Sequence, residues 1–301
     1  MGIEYTGNLL QDYKADLEEG YHLAIMPISR VEVEWFPRNY PAGITFYPVE
    51  FVNLNELGIV PNRSTSSSLA EAVSAASGVD QGILDRHPLV VFPCTFDWFA
   101  FCRDGFRGHL EFIRTLSDYV DRTCLNFIRY CQCSLELIDS LPGRAGMVNS
   151  NPMMAGALLY NHMLREGRII GGDAFTHRIT KGLGLPIESI DQSRFPKKGE
   201  VGFIANHALA LYTALLEAEN PTLRFIQALS LLEFLAYPDE YKKFQNVKRI
   251  IARYIAQDQS EYKQLLNRFF ELTGKKDEVT GQILGYRTRV IHMGRRVEDL
   301  L

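Results

Sequence analysis

From residue 203 to its end, the sequence loses the strand-forming patterns of its earlier part and reads as consecutive helices. Apolar residues recur there with the spacing of amphipathic helices. Asparagine-proline, tyrosine-proline, aspartate and glycine interrupt the pattern at the places where helices usually begin and end. The sequence predicts five helices, at about 203–219, 222–236, 239–256, 259–273 and 277–293.

The preceding part of the chain mixes strand and helix patterns. Residues 20–52 contain apolar-polar alternation with a period of two, which indicates strands. Residues 87–101 are apolar and broken by prolines, which is typical of one or two buried strands. A long amphipathic helix is predicted over 109–141 and a second helix over 152–166.

The remaining segments of this part predict irregular structure. Residues 61–82 read as a loop followed by a short helix, and residues 167–202 are rich in glycine, with a polar loop at 171–182. Taken together, the patterns predict an α+β protein. It consists of a mixed α/β domain, residues 1–198, followed by an all-α helical bundle, residues 199–301.

Basic residues are concentrated in the helical domain. Residues 241–301 contain 13 Lys and Arg against 7 Asp and Glu, whereas residues 1–240 contain 19 against 29. A basic segment on an acidic body indicates a polyanionic partner such as RNA or a nucleotide. A helix face that is simply solvated by Lys and Arg explains the same distribution.

The cysteines and the lengths of the apolar runs indicate the cellular compartment and the presence or absence of cofactors. The chain has five cysteines. An odd number of cysteines in a chain of this length is typical of free thiols in a reducing environment. No run of about 18 apolar residues occurs, so we expect a cytoplasmic protein that does not cross a membrane. Cys124, Cys131, Cys133 and His109 are candidate zinc ligands, but buried thiols are usual on a helix's apolar face. We therefore expect no metal and no other cofactor.

The last predicted helix and the residues directly after it carry four arginines and one histidine, Arg287, Arg289, His292, Arg295 and Arg296. Like charges one turn apart on a helix repel each other. The cluster therefore needs compensation by an anionic ligand, by acidic residues elsewhere in the fold, or by solvent. Arg287 and His292 are five positions apart, which is roughly 140° of rotation on an ideal helix. They can act together only if a cleft, a local bulge or a helix end brings them to one face.

The stretch YRTRVIHMG, residues 286–294, resembles the R-x4-6-H motif of the HEPN superfamily (higher eukaryotes and prokaryotes nucleotide-binding). Two upstream segments, LRFIQALSLLEFLA with Glu233 in an apolar run and KFQNVKRIIARYI, resemble helices of the same domain. The resemblance covers residues 200–301 and does not extend to residues 1–195. The motif positions are filled by Arg287, Thr288, Val290, Ile291, His292 and Gly294.

The resemblance implies a metal-independent endoribonuclease that works as a homodimer. In such an enzyme the 2′-OH of RNA is the nucleophile, a histidine transfers protons, and an arginine clamps the phosphate through its permanent charge. Two copies of the motif helix form one composite site, while the N-terminal domain senses a signal or positions substrate. The implied residues are Arg287 and His292 for catalysis, Thr288, Arg289, Arg295 and Arg296 for RNA binding, and Glu233 in a structural role.

The family alone also implies a setting in antiviral defence or a toxin–antitoxin system, with an antitoxin or another defence-system protein as partner. Two other functions are compatible with the sequence. The helical domain can be a non-catalytic HEPN module that binds nucleotides or mediates assembly. Alternatively, the N-terminal domain is an unrecognised enzyme that the helical domain dimerises. A structural role for the motif is open as well, in which Arg287 pairs with an acidic residue and His292 is an ordinary helix residue.

Overall fold

The computed structural model divides the chain into two units, Met1–Asp191 and Gln192–Leu301. This division falls a few residues before the predicted boundary between 198 and 199. The first unit contains an antiparallel sheet, and the described part of the second is helical, so the predicted α+β class is confirmed. The structure describes residues 5–59, 84–103, 106–133, 141–150, 153–172, 185–191, 195–196, 198–218, 220–274, 281 and 285–300.

Among these residues, the N-terminal unit contains a seven-stranded antiparallel sheet and a separate parallel pair of short strands. The strands are β1 His22–Pro27, β2 Val31–Glu32, β3 Arg38–Tyr40, β4 Ile44–Tyr47, β5 Leu89–Cys94, β6 Met147–Ser150, β7 Met153–Asn161, β8 Glu166–Gly172 and β9 Leu185–Pro186. The order in the large sheet is β3-β4-β5-β1-β7-β6, and β8 pairs with the other edge of β7. The parallel pair joins β2 to β9.

Both faces of the large sheet are buried. Along β1, Ala24 and Met26 contribute to one hydrophobic core, while Leu23 and Ile25 contribute to a second core on the opposite face. The second core is closed by two short N-terminal helices, α1 Leu9–Asp12 and α2 Lys14–Glu18. Burial on both faces explains why β1 and β5 are nearly continuous apolar runs, whereas the predicted alternation appears at residues 31–34, which are buried and exposed in turn.

The first core is closed by the predicted long helix, which runs from Phe106 to Gln132. Strands from both predicted regions, 20–52 and 87–101, pair in the large sheet, and side chains of this helix pack in the first core against that sheet. Within residues 87–101, which predicted one or two strands, Leu89–Cys94 forms β5, whereas the chain from Trp98 onward is helical. The helices here are α3 Trp98–Arg103, α4 Phe106–Val120 and α5 Asn126–Gln132, with a π-helical turn, Asp121–Leu125, between α4 and α5.

A fully buried arginine lies on α5 and connects this helix to the chain before β6. Arg129 donates to the Asp121 carboxylate at 2.9 Å and to the carbonyls of Pro142 and Gly143 at 3.4 and 3.2 Å. The same carboxylate accepts from Arg144 at 2.7 Å. Because hydrogen bonds to a charged group in a buried setting are stronger than neutral ones, we expect this network to stabilise the unit.

The predicted helix over 152–166 is wrong. Met153–Asn161 forms β7 and pairs with β8 as a hairpin, and its turn is closed by the Asn161 side chain, which accepts from the Leu164 N–H at 3.1 Å. The helix-forming Met, Ala and Leu side chains of this stretch are overridden by tertiary context, because β7 pairs with neighbours on both edges. For the same reason, β8 replaces part of the irregular structure predicted over 167–202.

Three other predicted features lie outside the described residues. These are the whole loop and short helix over 61–82, the polar loop after residue 172, and most of the last helix before residue 285. Within the described ranges, no helix combines the length and apolar character that crossing a membrane requires.

Four of the five helices predicted in the C-terminal unit are confirmed. The asparagine and aspartate predicted to mark helix starts cap two of them. Asn220 caps the second helix by accepting from the Leu223 N–H at 2.8 Å. Asp258 caps the fourth by accepting from the N–H groups of Ser260 and Glu261 at 2.7 and 2.8 Å. The helices are α6 Gly199–Glu217, α7 Pro221–Ala236, α8 Phe244–Ile255 and α9 Gln259–Thr273.

These helices pack in chain order, α6 on α7, α7 on α8 and α8 on α9. Leu229 of α7 forms a small core with Phe244, Val247 and Ile251 of α8, and side chains of α9 pack against it. A 3₁₀ turn near the end of the described chain, Val297–Asp299, returns to α7. Helix α7 therefore contacts α6, α8 and this 3₁₀ turn.

Replacing Arg129 by alanine should lower the free energy of unfolding of the N-terminal unit by about 2–3 kcal/mol, because the carbonyls of Pro142 and Gly143 lose a charged donor while Asp121 keeps Arg144 as a partner. Both tryptophans, Trp35 and Trp98, belong to this unit. Urea unfolding followed by tryptophan fluorescence therefore reports on the unit alone. Arg122→Ala is the matched control, since Arg122 is exposed on the same π turn, and it should change the stability by less than about 0.5 kcal/mol. Equal losses for the two variants would contradict the role of the network.

Candidate functional site

The motif segment contains a short helix whose last turn is π-helical. Tyr286 and Arg287 are α-helical, and Thr288–His292 forms the π turn, in which the Met293 N–H bonds the Thr288 carbonyl at 3.2 Å. Gly294 follows with a φ of 63°, a left-handed conformation that glycine adopts without strain. The Arg295 N–H then reaches back to the Arg289 carbonyl at 3.0 Å and closes the helix end.

This π turn changes the relative orientation of Arg287 and His292. In a π-helix each N–H bonds the carbonyl five residues earlier, so residues five apart lie about one turn from each other. On an α-helix the same pair would be roughly 140° apart. Of the three arrangements that could bring the two residues together, the structure contains the local bulge.

Arg287 is neither in a closed core nor free in solvent. Its Nε and Nη2 donate to Oε1 of Glu233 at 3.3 and 2.9 Å, and the two side chains are 19% and 30% exposed. Its guanidinium also lies 5.6 Å from the ring centre of Phe244, within the range of a cation–π contact. The positive charge of Arg287 is therefore compensated by an acidic residue elsewhere in the fold, Glu233 of α7.

Further contacts hold the motif segment against the helical bundle. A Cβ built at Gly285 would overlap the backbone at the end of α9, so only glycine fits where the segment begins. Val290 is buried. At the far end, the Val297 N–H donates to Thr222 Oγ1 at 2.9 Å. Since Glu233 and Thr222 lie near opposite ends of α7, the segment runs along this helix in the opposite direction.

The other predicted site residues face solvent. The His292 side chain is exposed and makes no hydrogen bond to any residue that the structure describes. Arg289 and Arg295 are likewise exposed and pair with no carboxylate in the described part of the chain, whereas Arg296 lies 3.5 Å from Glu298. The remaining positive charge of the cluster is therefore compensated mainly by solvent.

Thr288 and Glu298 also contribute to the contacts of this segment. Thr288 is half-buried and contributes its carbonyl to the π turn. The hydroxyl of Thr222 donates to the Glu298 carboxylate and, with nearby Arg296, holds the pKa of that carboxyl below its usual value.

A surface cleft of about 340 Å³ adjoins the Arg287–Glu233 pair. Glu233 and Val247 line it from the two flanking helices. At its rim, Lys242 donates to Glu240 at 2.9 Å, which raises the pKa of the Lys242 ammonium above its usual value. The other lining residues are Phe234 and the loop residues Tyr237, Pro238, Asp239 and Tyr241.

The cysteines of the long N-terminal helix do not form a ligand cluster within the described residues, and those residues contain no group of three potential metal ligands. The Cys124 thiol is buried and donates to the Val120 carbonyl at 3.4 Å, and burial raises its pKa. Cys131, by contrast, is exposed. The surroundings of Cys124 are those of a buried structural thiol.

Comparison of the chain with protein-family models, with curated proteins and with solved structures gives no match. The geometry of the motif segment and the chemistry of its side chains are therefore the features that bear on function.

Sequence reasoning identified Arg287, His292 and Glu233 separately but missed the contacts between elements. The Arg287–Glu233 pair joins residues 54 positions apart, and no local pattern predicts such a partner. A single carboxylate inside the apolar run of α7 was the available signal, because a charge in that position needs a partner. No such feature of the sequence predicted the contact of Phe244 with Arg287 or the nearby cleft.

The Arg287–Glu233 pair should contribute about 1–2 kcal/mol to the stability of the helical unit, because charge-assisted hydrogen bonds in a half-buried setting exceed surface pairs. A double-mutant cycle with Arg287→Met and Glu233→Gln measures this coupling, with urea unfolding followed by far-UV circular dichroism. The more exposed pair Arg296–Glu298 lies within the same segment and is the control cycle, with an expected coupling below about 0.5 kcal/mol. Similar couplings in the two cycles would show that Arg287 is not specifically held by Glu233.

Proposed function

We propose that this protein is a metal-independent endoribonuclease of the HEPN type, whose active site is formed by Arg287 and His292. The observation that carries the proposal is the π turn Thr288–His292, which brings these two positions about one turn apart on a solvent-accessible segment. π-helical turns are uncommon and occur frequently at functional sites.

The proposed chemistry uses the nucleophile that RNA already carries. His292 takes the proton of the 2′-OH as that oxygen attacks the adjacent phosphorus, and the 5′-oxygen leaves with a proton. Two histidines, one from each protomer, can divide these two proton transfers. The products are a 2′,3′-cyclic phosphate and a 5′-hydroxyl, and no step requires a metal ion.

Arg287 can stabilise the phosphorane although it is paired with Glu233. A guanidinium carries five N–H donors, and Glu233 accepts two hydrogen bonds from Arg287. The remaining donors are available to phosphate oxygens, whose charge a guanidinium complements. Glu233 then serves to orient Arg287, while Arg289, Arg295 and Arg296 contribute the positive field that attracts RNA.

A homodimer through the motif segment completes the proposed site. Ile291 and Met293, which flank His292, are 39% and 51% exposed, so apolar surface lies directly beside the catalytic residue. A two-fold axis at this surface would bury these side chains against their own copies and bring both motif segments together.

A second candidate function is supported by the Arg287–Glu233 pair. If Glu233 neutralises Arg287 permanently, the helical unit is a non-catalytic HEPN module that binds nucleotides or mediates assembly. The two candidates differ in whether RNA is cut, and they are distinguished by the same experiment.

Wild-type protein should cleave RNA in the presence of EDTA, and His292→Ala should reduce the rate by about 10²–10⁴-fold, because proton transfer by a positioned side chain contributes that much. His207→Ala is the control, since His207 is an exposed histidine of the same unit that packs against Phe203 and Phe234. Mass spectrometry of the fragments should find 2′,3′-cyclic phosphate and 5′-hydroxyl ends. Arg287→Ala should weaken both cleavage and the salt-dependent part of RNA binding.

RNA binding without cleavage by the wild type would favour the non-catalytic module. Fragments with 3′-hydroxyl ends, or activity that EDTA abolishes, would instead indicate a metal-dependent nuclease and contradict the proposal. If His207→Ala and His292→Ala lose activity equally, the loss does not arise from a specific role of His292.

Met293→Glu should shift the monomer–dimer equilibrium toward monomer by at least about tenfold, because the new charges would face each other across the two-fold axis. Sedimentation velocity over a range of protein concentrations measures the dissociation constant. Tyr254→Glu is the control, since Tyr254 is 81% exposed on α8 and is outside the proposed interface. A monomeric wild type, or equal effects of the two substitutions, would contradict the composite site.

A further inference from the structure

The loop between α7 and α8, residues 237–243, is held to Arg287 at both of its ends. Glu233, one helical turn before the loop, accepts the hydrogen bonds of Arg287. Phe244, the first residue after the loop, lies against the same guanidinium. The loop and the cleft that it lines are therefore fixed next to the group that would bind phosphate.

The cleft presents aromatic rings and carboxylates. Tyr237 is half-buried and packs on the core of the unit, whereas Tyr241 is 81% exposed, so its ring is accessible to a ligand. Three carboxylates line the cleft, those of Glu233, Asp239 and Glu240. The one lysine, Lys242, is already paired with Glu240.

This composition disfavours some ligands and favours others. A phosphate would meet an excess of negative charge in the cleft, so it belongs at Arg287 and not beside Tyr241. A neutral ring that carries N–H donors fits better, because it can stack on tyrosine and donate to a carboxylate. In RNA, such a ring is attached to the sugar next to each phosphate.

We propose that the cleft between Glu233 and Lys242 is a nucleobase subsite, in which Tyr241 stacks on the base that neighbours the phosphate held by Arg287. This inference rests on the proposed binding of RNA at Arg287 and adds a specificity to it. The carboxylates accept hydrogen bonds from exocyclic amino groups, so adenine, guanine or cytosine is preferred over uracil, which has no such group.

The test uses short 2′-O-methyl oligonucleotides of adenine and of uracil, which cannot be cleaved by 2′-OH attack. Fluorescence anisotropy measures their dissociation constants for the full chain. Tyr241→Ala should weaken binding of the adenine probe about tenfold, the effect of losing one stacked base. Tyr241→Phe should bind as the wild type does, because it keeps the ring. Tyr254→Ala is the matched control, since Tyr254 is also 81% exposed in the same unit, and it should have no effect.

The expected result also includes weaker binding of the uracil probe by the wild type, and equal binding of the two probes would overturn the base preference. Tyr241→Ala that binds like the wild type, or loses no more than Tyr254→Ala, would overturn the subsite. Cleavage of unmodified RNA is measured separately. Tyr241-dependent binding without cleavage leaves the subsite standing and removes the ribonuclease function, whereas cleavage with Tyr241-independent binding removes only the subsite.

Discussion

The ion pair between Arg287 and Glu233 is the interaction on which the candidate site depends. It joins the motif segment to α7 at the point where the cleft begins, and Phe244 completes the contact from α8. A carboxylate in the apolar run of α7 would be costly without a partner, and an arginine among other arginines would be repelled. Each residue therefore removes the cost of the other, and their pairing fixes where His292 emerges.

The π turn is the second constraint, because it determines which residues of the motif share a face. An α-helix would separate Arg287 from His292, whereas i→i+5 hydrogen bonding brings them about one turn apart. A comparable π turn interrupts the long N-terminal helix at Asp121–Leu125, beside the buried pair of Asp121 and Arg129. In that unit the residues serve stability, since Arg129 is fully buried, so burial distinguishes the two cases.

Local sequence predicted the parts of the fold that local chemistry determines. Asn220 and Asp258 mark helix starts because their side chains satisfy free N–H groups in the first turn. The prediction failed for residues 153–161, whose Met, Ala and Leu side chains favour a helix in isolation. That segment is a strand because partners on both of its edges, distant in the chain, supply its hydrogen bonds.

The sequence by itself determined the α+β class, four of the C-terminal helices, and the individual candidates Arg287, His292 and Glu233. These depend on periodicity, on capping residues and on a short motif, all of which are readable within a few turns of chain. Only the tertiary structure decided that Glu233 is the partner of Arg287, and that the loop ending in Lys243 borders the site. Such contacts depend on how distant helices pack, and no pattern along one segment contains that information.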